Sequence, residues 1–373
     1  MPGRIIEELT AFGQSVWLDN ISRSHIASGK LKELIDLGLS GITSNPSIFD
    51  KAISKSTDYD EEVRRLTKLG KSDFEIYDDL TVKDIQDATD MFRPVHEDSG
   101  GLDGYVSLEI NPKLARQTEE TIAEGKRLYK KVGRPNLMLK VPSTKEGFPA
   151  IEELVASGIN INVTLLFSLQ QYVDTIHAYV KGIKRLIDSG GDPSKVRSVA
   201  SVFVSRIDSA VDELLDGMAA KTGDEKLKHS LAALRGKAAV ANSALIYGKY
   251  REILTSGDFK AVAQKGAHMQ RVLWGSTSTK DPSYDDLKYV TELIAAGTVN
   301  TMPDKTLAAF LDHGQVKEAL TTDTGEAEGI ISALSDVGID ISQVCAHLLS
   351  EGVVKFEDAF DSLLGSIKVK MGN

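Results

Sequence analysis

Asn136–Thr144 reads NLMLKVPST, and the residues on either side of its lysine decide the fold class. Leu137, Met138 and Leu139 precede Lys140, Val141 follows it, and Pro142 closes the run. An unbroken apolar run of this length reads as a strand buried on both faces, as in a parallel sheet covered by helices. Lys140 is then buried with it. Burial disfavours an ammonium ion and favours the neutral nitrogen that a covalent amine catalyst needs. The alternative is a structural pair with a neighbouring carboxylate, the stem stretched to the rim.

On both sides of this stretch, strand patterns alternate with helical ones. Upstream, residues 3–12 read as a helix ended by Gly13, and SVWLDN (15–20) as a first strand. Ser15, Trp17 and Asp19 fall on one face of that strand, with Val16 and Leu18 on the other. A helix over 23–37 and a second strand, GITSN (41–45), complete a βαβ unit, with Thr43 and Asn45 sharing a face. An acidic helical insertion spans about 47–103, its charge runs read as solvated faces. YVSLEIN (105–111) then alternates Tyr105, Ser107, Glu109 and Asn111 against Val106, Leu108 and Ile110. A helix over 113–132 leads into the lysine strand.

Downstream, a helix over 146–157 precedes a fifth strand within 158–168, which sets Asn160, Asn162 and Thr164 against Ile161, Val163 and Leu165. After a helix over 169–189, VASVFV (199–204) presents Ser201 and Phe203 on one face, and Arg206 follows. Residues 208–265 are helical, RVLWGS (271–276) is a seventh strand with Trp274 and Ser276 on one face, and 298–302 is an eighth. From about 305 to 373 the chain reads as a helical C-terminal extension. Eight strands alternating with helices predict an α/β fold, a (β/α)8 TIM-type barrel forming one domain over 1–373. Such a barrel needs about 250 residues and leaves room for the helical insertion and C-terminal helices. A doubly wound sheet is the rival, but no GxGxxG follows any strand.

Composition narrows the function. A hydrophobic content of 41% with 26% charged residues suits a globular protein without a membrane span, and the expectation is a cytoplasmic one. The net charge of −10, without a lysine or arginine block, argues against nucleic acid, whereas phosphorylated metabolites need only a few local cations. Cys345 stands alone, which excludes an internal disulfide, and ISQVCAHLL places it on a packed helix face. The seven histidines are scattered without metal-ligand spacing, so no metal is expected.

In a barrel the polar strand faces converge at the carboxyl ends, where barrel active sites lie. Asp19, Asn45, Glu109, Lys140, Asn162, Thr164 and Ser201 all sit there, and inward polar groups are costly unless a site uses them. Glu109 and Thr164 come from the strands flanking Lys140, at spacings of roughly 5 Å. A lysine so placed can attack a ketone and form an imine while carboxylate and hydroxyl handle the water. Asp19, across the mouth, is placed to take a proton from a substrate hydroxyl, as carbon–carbon cleavage of a hydroxyketone requires. Asn45, Asn162 and Ser201 suit sugar hydroxyls, and Arg206 and Ser276 suit a terminal phosphate. Each residue has a second reading. Asp19 is also a candidate cap for a helix starting near Ile21, and Glu109 a simple neutraliser of Lys140. Asn45 is a common turn residue before proline, Ser201 and Ser276 can satisfy backbone, Arg206 can be a surface group, and Phe203 and Trp274 barrel packing.

The segments SVWLDN, GITSNPSIF, VSLEINP, LMLKVPST, INVTLLFS and ASVFVSRID resemble the successive strand motifs of transaldolase, with a weaker match through LWGSTSTK. The likeness is to the longer bacterial members, which add helices to the core barrel, and it covers nearly the whole chain. It implies transfer of a dihydroxyacetone unit between sugar phosphates in the pentose phosphate pathway, without metal or organic cofactor. Fructose 6-phosphate or sedoheptulose 7-phosphate would donate; erythrose 4-phosphate or glyceraldehyde 3-phosphate would accept. By matching motifs, Lys140 is the Schiff-base lysine, Asp19 the acid/base at the C4 hydroxyl, and Glu109 and Thr164 the residues that position water. Asn45, Asn162 and Ser201, with Thr43 beside them, bind the dihydroxyacetone part, Phe203 adjoins it, and Arg206 binds phosphate.

One position departs from the family. Ser278 stands where many members carry a second phosphate-binding arginine, two residues after Ser276, and Lys280 is the nearby substitute as a point charge. The rival functions are an aldolase that releases free dihydroxyacetone and a non-catalytic sugar-phosphate-binding barrel. A monomer and a homodimer are both compatible with the sequence.

Overall fold

A computed structural model describes residues 3–372. Eight parallel strands close into a barrel in sequence order: β1 Gln14–Leu18, β2 Gly41–Thr43, β3 Tyr105–Glu109, β4 Leu137–Pro142, β5 Ile161–Leu166, β6 Ser198–Phe203, β7 Arg271–Gly275 and β8 Thr298–Met302. Pairing of Val16 with Asn300 and Trp17 with Thr301 joins β1 to β8. The predicted (β/α)8 architecture is the observed one; the expected domain limits include Met1, Pro2 and Asn373, which lie outside the described residues.

The strand periodicity sorts two cores. Trp17, Tyr105, Met138, Val199, Leu273 and Val299 fill the barrel interior, while Val16, Leu108, Leu139, Val163, Val202 and Trp274 pack outward under the helices. Each such buried side chain contributes roughly 2 kcal/mol relative to exposure. Gly41 serves the inner layer directly, because a Cβ there would sit 2.5 Å from the Trp17 ring. Below that layer the barrel is floored by polar groups. Asp103 accepts from the Ser15 hydroxyl (2.7 Å), the Trp17 indole (3.1 Å) and Arg271 (3.1 Å).

Several expectations are corrected in detail. Trp274 and Ser276 do not share a face: Leu273 and Gly275 point inward, Trp274 outward, and Ser276 lies beyond the strand with φ of 54°. A left-handed residue breaks the two-residue alternation on which the expectation rested. β5 covers only Ile161–Leu166 of 158–168, and it is irregular within those limits: Leu165 has φ of 56° and the β5–β6 register shifts between Val163 and Leu166. β2 stops at Thr43 because Asn45 already caps the helix Pro46–Ser54. The helix expected over 23–37 divides at Gly29 into Arg23–Ala27 and Lys30–Asp36.

The helices between β2 and β3 are Pro46–Ser54, Asp60–Lys68 and Asp73–Asp98. They carry the last helix, Ile341–Met371, across the carboxyl end of the barrel. Asp50 accepts from Ser362 (2.8 Å) and Ser366 (2.7 Å), Lys370 pairs with Asp60, and Phe360 meets Tyr77 edge-on at 5.0 Å. Cys345 is buried on this helix, as its sequence setting suggests, and burial pushes its thiol up to about 12. Among the described residues no single helix is long and apolar enough to cross a membrane.

Candidate active site

Lys140 emerges from β4 one residue pair above Met138, so the alternation that buries Met138 in the inner layer lifts the lysine to the mouth. It is 4% exposed. Its Nζ donates to the Ser44 carbonyl at 2.7 Å and lies 2.9 Å from Glu109 Oε2. Register explains the second contact, because Glu109 and Lys140 are Cα partners across β3 and β4. Lys140 and Glu109 form a buried ion pair through Oε2. Burial pushes the Glu109 carboxyl up, opposed by the charge of Lys140. Thr164, whose Cα partner is Pro142, reaches Glu109 Oε1 at 3.5 Å, long for a hydroxyl donor.

Asp19 follows β1 directly and is not a helix cap, since Ser22 caps the helix Arg23–Ala27. Thr43 donates to its Oδ1 at 2.7 Å, and the single hydroxyl proton being spent there, Thr43 accepts from Thr301 at 2.7 Å. Burial in the mouth raises the Asp19 carboxyl above its ordinary range, with Lys140 and the Thr43 hydrogen bond pulling it down. Asn45 does cap a helix: its Oδ1 accepts from the Ile48 amide at 3.0 Å while the residue also lines the mouth. Capping fixes the side chain and leaves its Nδ2 for another partner.

One cavity of about 390 Å3 joins these groups, and Asp19, Thr43, Asn45, Lys140, Ser201, Phe203, Arg206, Ser276 and Lys280 all line it. Glu109, Asn162 and Thr164 stand behind its wall. Asn162 is fully buried, donating to Ser107 at 3.1 Å and accepting from Ser201 at 2.6 Å, so it reaches the cavity through Ser201. Arg206, in the first turn of the helix Ser205–Lys221, lies 5.4 Å over the Phe203 ring. Ser276 is turned toward Ser205 at 3.0 Å by its left-handed backbone. Lys280 sits at the rim and donates to Ser278 at 2.6 Å. Burial depresses both Arg206 and Lys280, as does the charge of Arg206 on Lys280.

The structure adds residues that the motifs did not single out. The Ser44 carbonyl holds Lys140, Thr301 completes the Asp19 chain, and Ser47, Lys51 and Phe356 line the cavity. Thr301 was open to inference, since it alternates with inward Val299 on β8. Phe356 was not, because no strand period connects residue 356 with a mouth otherwise formed by residues 19–303. Among the described residues Arg206, Lys51 and Lys280 line this cavity without a carboxylate at ion-pair distance, the charges of Asp19 and Glu351 acting on Arg206, and that of Asp19 on Lys280, from farther away. A larger hollow of about 760 Å3 between the helices Gly3–Phe12 and Asp304–His313 offers Arg4, already paired with Glu8, and no nucleophile.

A model of the family described as transaldolase/fructose-6-phosphate aldolase matches residues 16–367. The chain belongs to that family. A transaldolase of Trichodesmium erythraeum is 46% identical over 98% of this chain and 97% of its own length. A transaldolase of Frankia alni is 47% identical, and transaldolase 2 of a Nostoc species 45% identical, each over the same shares of the two chains. The likeness spans the barrel and the helices added to it, so the family assignment rests on nearly the whole sequence rather than on the lysine motif.

Proposed function

We infer that the chain is a transaldolase working through an imine on Lys140. The observation that carries this reading is a buried amine held between Glu109 and the Ser44 carbonyl, opening on a cavity that also contains Asp19 and three unpaired cations. A proton passes from Lys140 to Glu109, which burial already disposes to be neutral, and the freed amine adds to the ketone carbon of a ketose phosphate. The ketone oxygen takes one proton from the attacking nitrogen, and Glu109 and Thr164 return the first, so that it leaves as water and a protonated imine remains. Asp19 then takes the proton of the hydroxyl on the far carbon of the bond to be broken, two carbons from the imine carbon. That bond cleaves, the aldose phosphate departs, and its electron pair stays on the lysine-bound three-carbon fragment as an enamine. An acceptor aldose phosphate reverses the sequence.

Ser201, backed by Asn162, and Asn45 supply hydrogen bonds to the dihydroxyacetone hydroxyls, and Arg206 with Lys280 and Ser276 receives the phosphate. The same reading makes 1–373 one barrel domain whose insertion and C-terminal extension serve the mouth, and its phosphorylated substrates suit a cytoplasmic location. The decisive experiment is borohydride reduction with fructose 6-phosphate, followed by peptide mass mapping. A stable three-carbon adduct on Lys140 is expected. No adduct on any lysine, with folded protein and bound substrate, would sink the covalent mechanism.

A further inference from the structure

Asp19 is served by one chain of hydroxyls, and both links of that chain come from the strands that flank β1. The Asp19 amide donates to the Met302 carbonyl at 2.8 Å, which holds the residue to the end of β8. Thr301 points into the barrel with Trp17, its Cα partner on β1. Thr43 stands two residues beyond Gly41, the partner of Trp17 on β2, and so points inward too. Each threonine is 3% exposed, and their hydroxyl oxygens are 2.7 Å apart. An ionised carboxylate can only accept, and Thr43 has one proton, which goes to Asp19 Oδ1 at 2.7 Å. Thr301 must therefore donate to Thr43. The direction of the whole chain follows from the charge at its end. Among the described residues no hydrogen bond reaches the other carboxylate oxygen, Oδ2, although Asp19 lines the cavity. Thr301 is itself braced, its carbonyl accepting from the buried Thr277 hydroxyl at 3.2 Å.

Resting on the transaldolase reading, we propose that Thr301 is a positioning residue for Asp19: its hydroxyl fixes the direction of the Thr301–Thr43–Asp19 chain, so that Oδ1 is held and Oδ2 is left to take the substrate proton. Without that hydroxyl Thr43 keeps its proton but loses the donor that polarises it. Its own donation to Asp19 then weakens, since hydrogen bonds in a chain strengthen one another. The Thr43 oxygen is also left buried and unsatisfied, which disfavours the rotamer that holds Asp19. Both effects loosen the carboxylate and raise the pH at which it ionises. The charged groups that act on Asp19 are Lys140 on β4 with Glu109 behind it on β3, Arg206 and Lys280 beyond β6 and β7, and Asp304 beyond β8 with His25 near it. Lys51, on the helix Pro46–Ser54, lines the same cavity. Among the described residues none of these groups hydrogen-bonds to the Thr301 hydroxyl, so its removal changes the chain and leaves the charges in place.

The test compares, in the full chain, Thr301→Val, which keeps the shape and removes the hydroxyl, with Thr301→Ser, which keeps the hydroxyl. Borohydride reduction soon after mixing with fructose 6-phosphate traps six-carbon lysine adducts before cleavage and three-carbon adducts after it. Their ratio is independent of the amount of folded enzyme. Imine formation does not use Asp19 and cleavage does, so Thr301→Val is expected to raise the ratio of six-carbon to three-carbon adduct about threefold to tenfold. The acid limb of kcat/KM should move up by about half a pH unit, the direction given by weaker hydrogen bonding to the ionised form. Thr301→Ser should bring both readouts back toward the parent values. If the valine variant does not fold, Thr301→Ala gives the same comparison. An unmoved acid limb in a folded variant without the hydroxyl overturns the proposal, whatever the loss of total rate, and so does a serine variant that behaves like the valine one. A parent enzyme with no transfer at all would instead overturn the transaldolase reading.

Discussion

Two buried cation–carboxylate pairs sit at opposite ends of the same barrel, and they are built differently. At the floor, Arg271 and Asp103 are 3.1 Å apart, with both Asp103 oxygens occupied by Ser15, Trp17 and the arginine, and with Arg271 also donating to the Thr298 carbonyl at 2.7 Å. At the mouth, Lys140 and Glu109 are 2.9 Å apart, and the Glu109 carboxylate has only Lys140 and a long contact to Thr164 as partners. A guanidinium stays charged at any working pH, whereas an ammonium can hand its proton to a carboxylate and become a nucleophile. The floor is a pair whose charges cannot cancel; the mouth is a pair whose charges can. On the proposed mechanism that difference makes one end structural and the other chemical, although burial alone does not tell them apart.

Substitutions can break the contrast. Lys140→Met should abolish turnover, a loss on the order of 10^6-fold by comparison with other covalent nucleophiles, while thermal denaturation shows the fold retained. Asp19→Asn should lower kcat by roughly 10^2- to 10^4-fold with imine trapping preserved, since it removes the proton acceptor and leaves the amine. In the parent enzyme, the Asp19 carboxyl, raised by burial, takes up its proton at a higher pH than a free carboxyl would. The acid limb of kcat/KM should therefore lie above the ordinary carboxylate range of about 4, and a limb at or below that value would contradict the assignment. Arg271→Met should behave in the opposite way, costing on the order of 3 kcal/mol of stability in denaturant titrations with activity per folded molecule unchanged. The smallest effect sharpens the phosphate end. Lys280→Ala should raise the KM for phosphorylated ketoses by about three- to tenfold with kcat nearly unchanged, and an unaltered KM would remove Lys280 from the site.

How far the sequence could be read depended on the kind of periodicity available. Within a strand, alternation is enforced by backbone geometry, so Met138 inside implies Lys140 inside, and Tyr105 inside implies Glu109 inside. That reasoning was reliable until a left-handed residue intervened. Ser276 reached the mouth by a turn at φ of 54°, not by sharing a face with Trp274, and no propensity marks a serine for that conformation. Asn162 illustrates a different limit. The strand face on which it stands was legible, but whether it meets the cavity itself or through Ser201 depends on a single hydrogen bond of 2.6 Å between strands.

The sequence by itself determined the barrel, the end at which its polar groups gather, and the family, because each follows from local patterns repeated along the chain. Only the tertiary structure decided what surrounds those groups. The Ser44 carbonyl on Lys140 and Phe356 over the amine come from segments that no helical or strand period relates. Their placement follows from closing a sheet on itself and drawing the last helix across it, and such distances are fixed by packing between elements rather than by any one element's sequence.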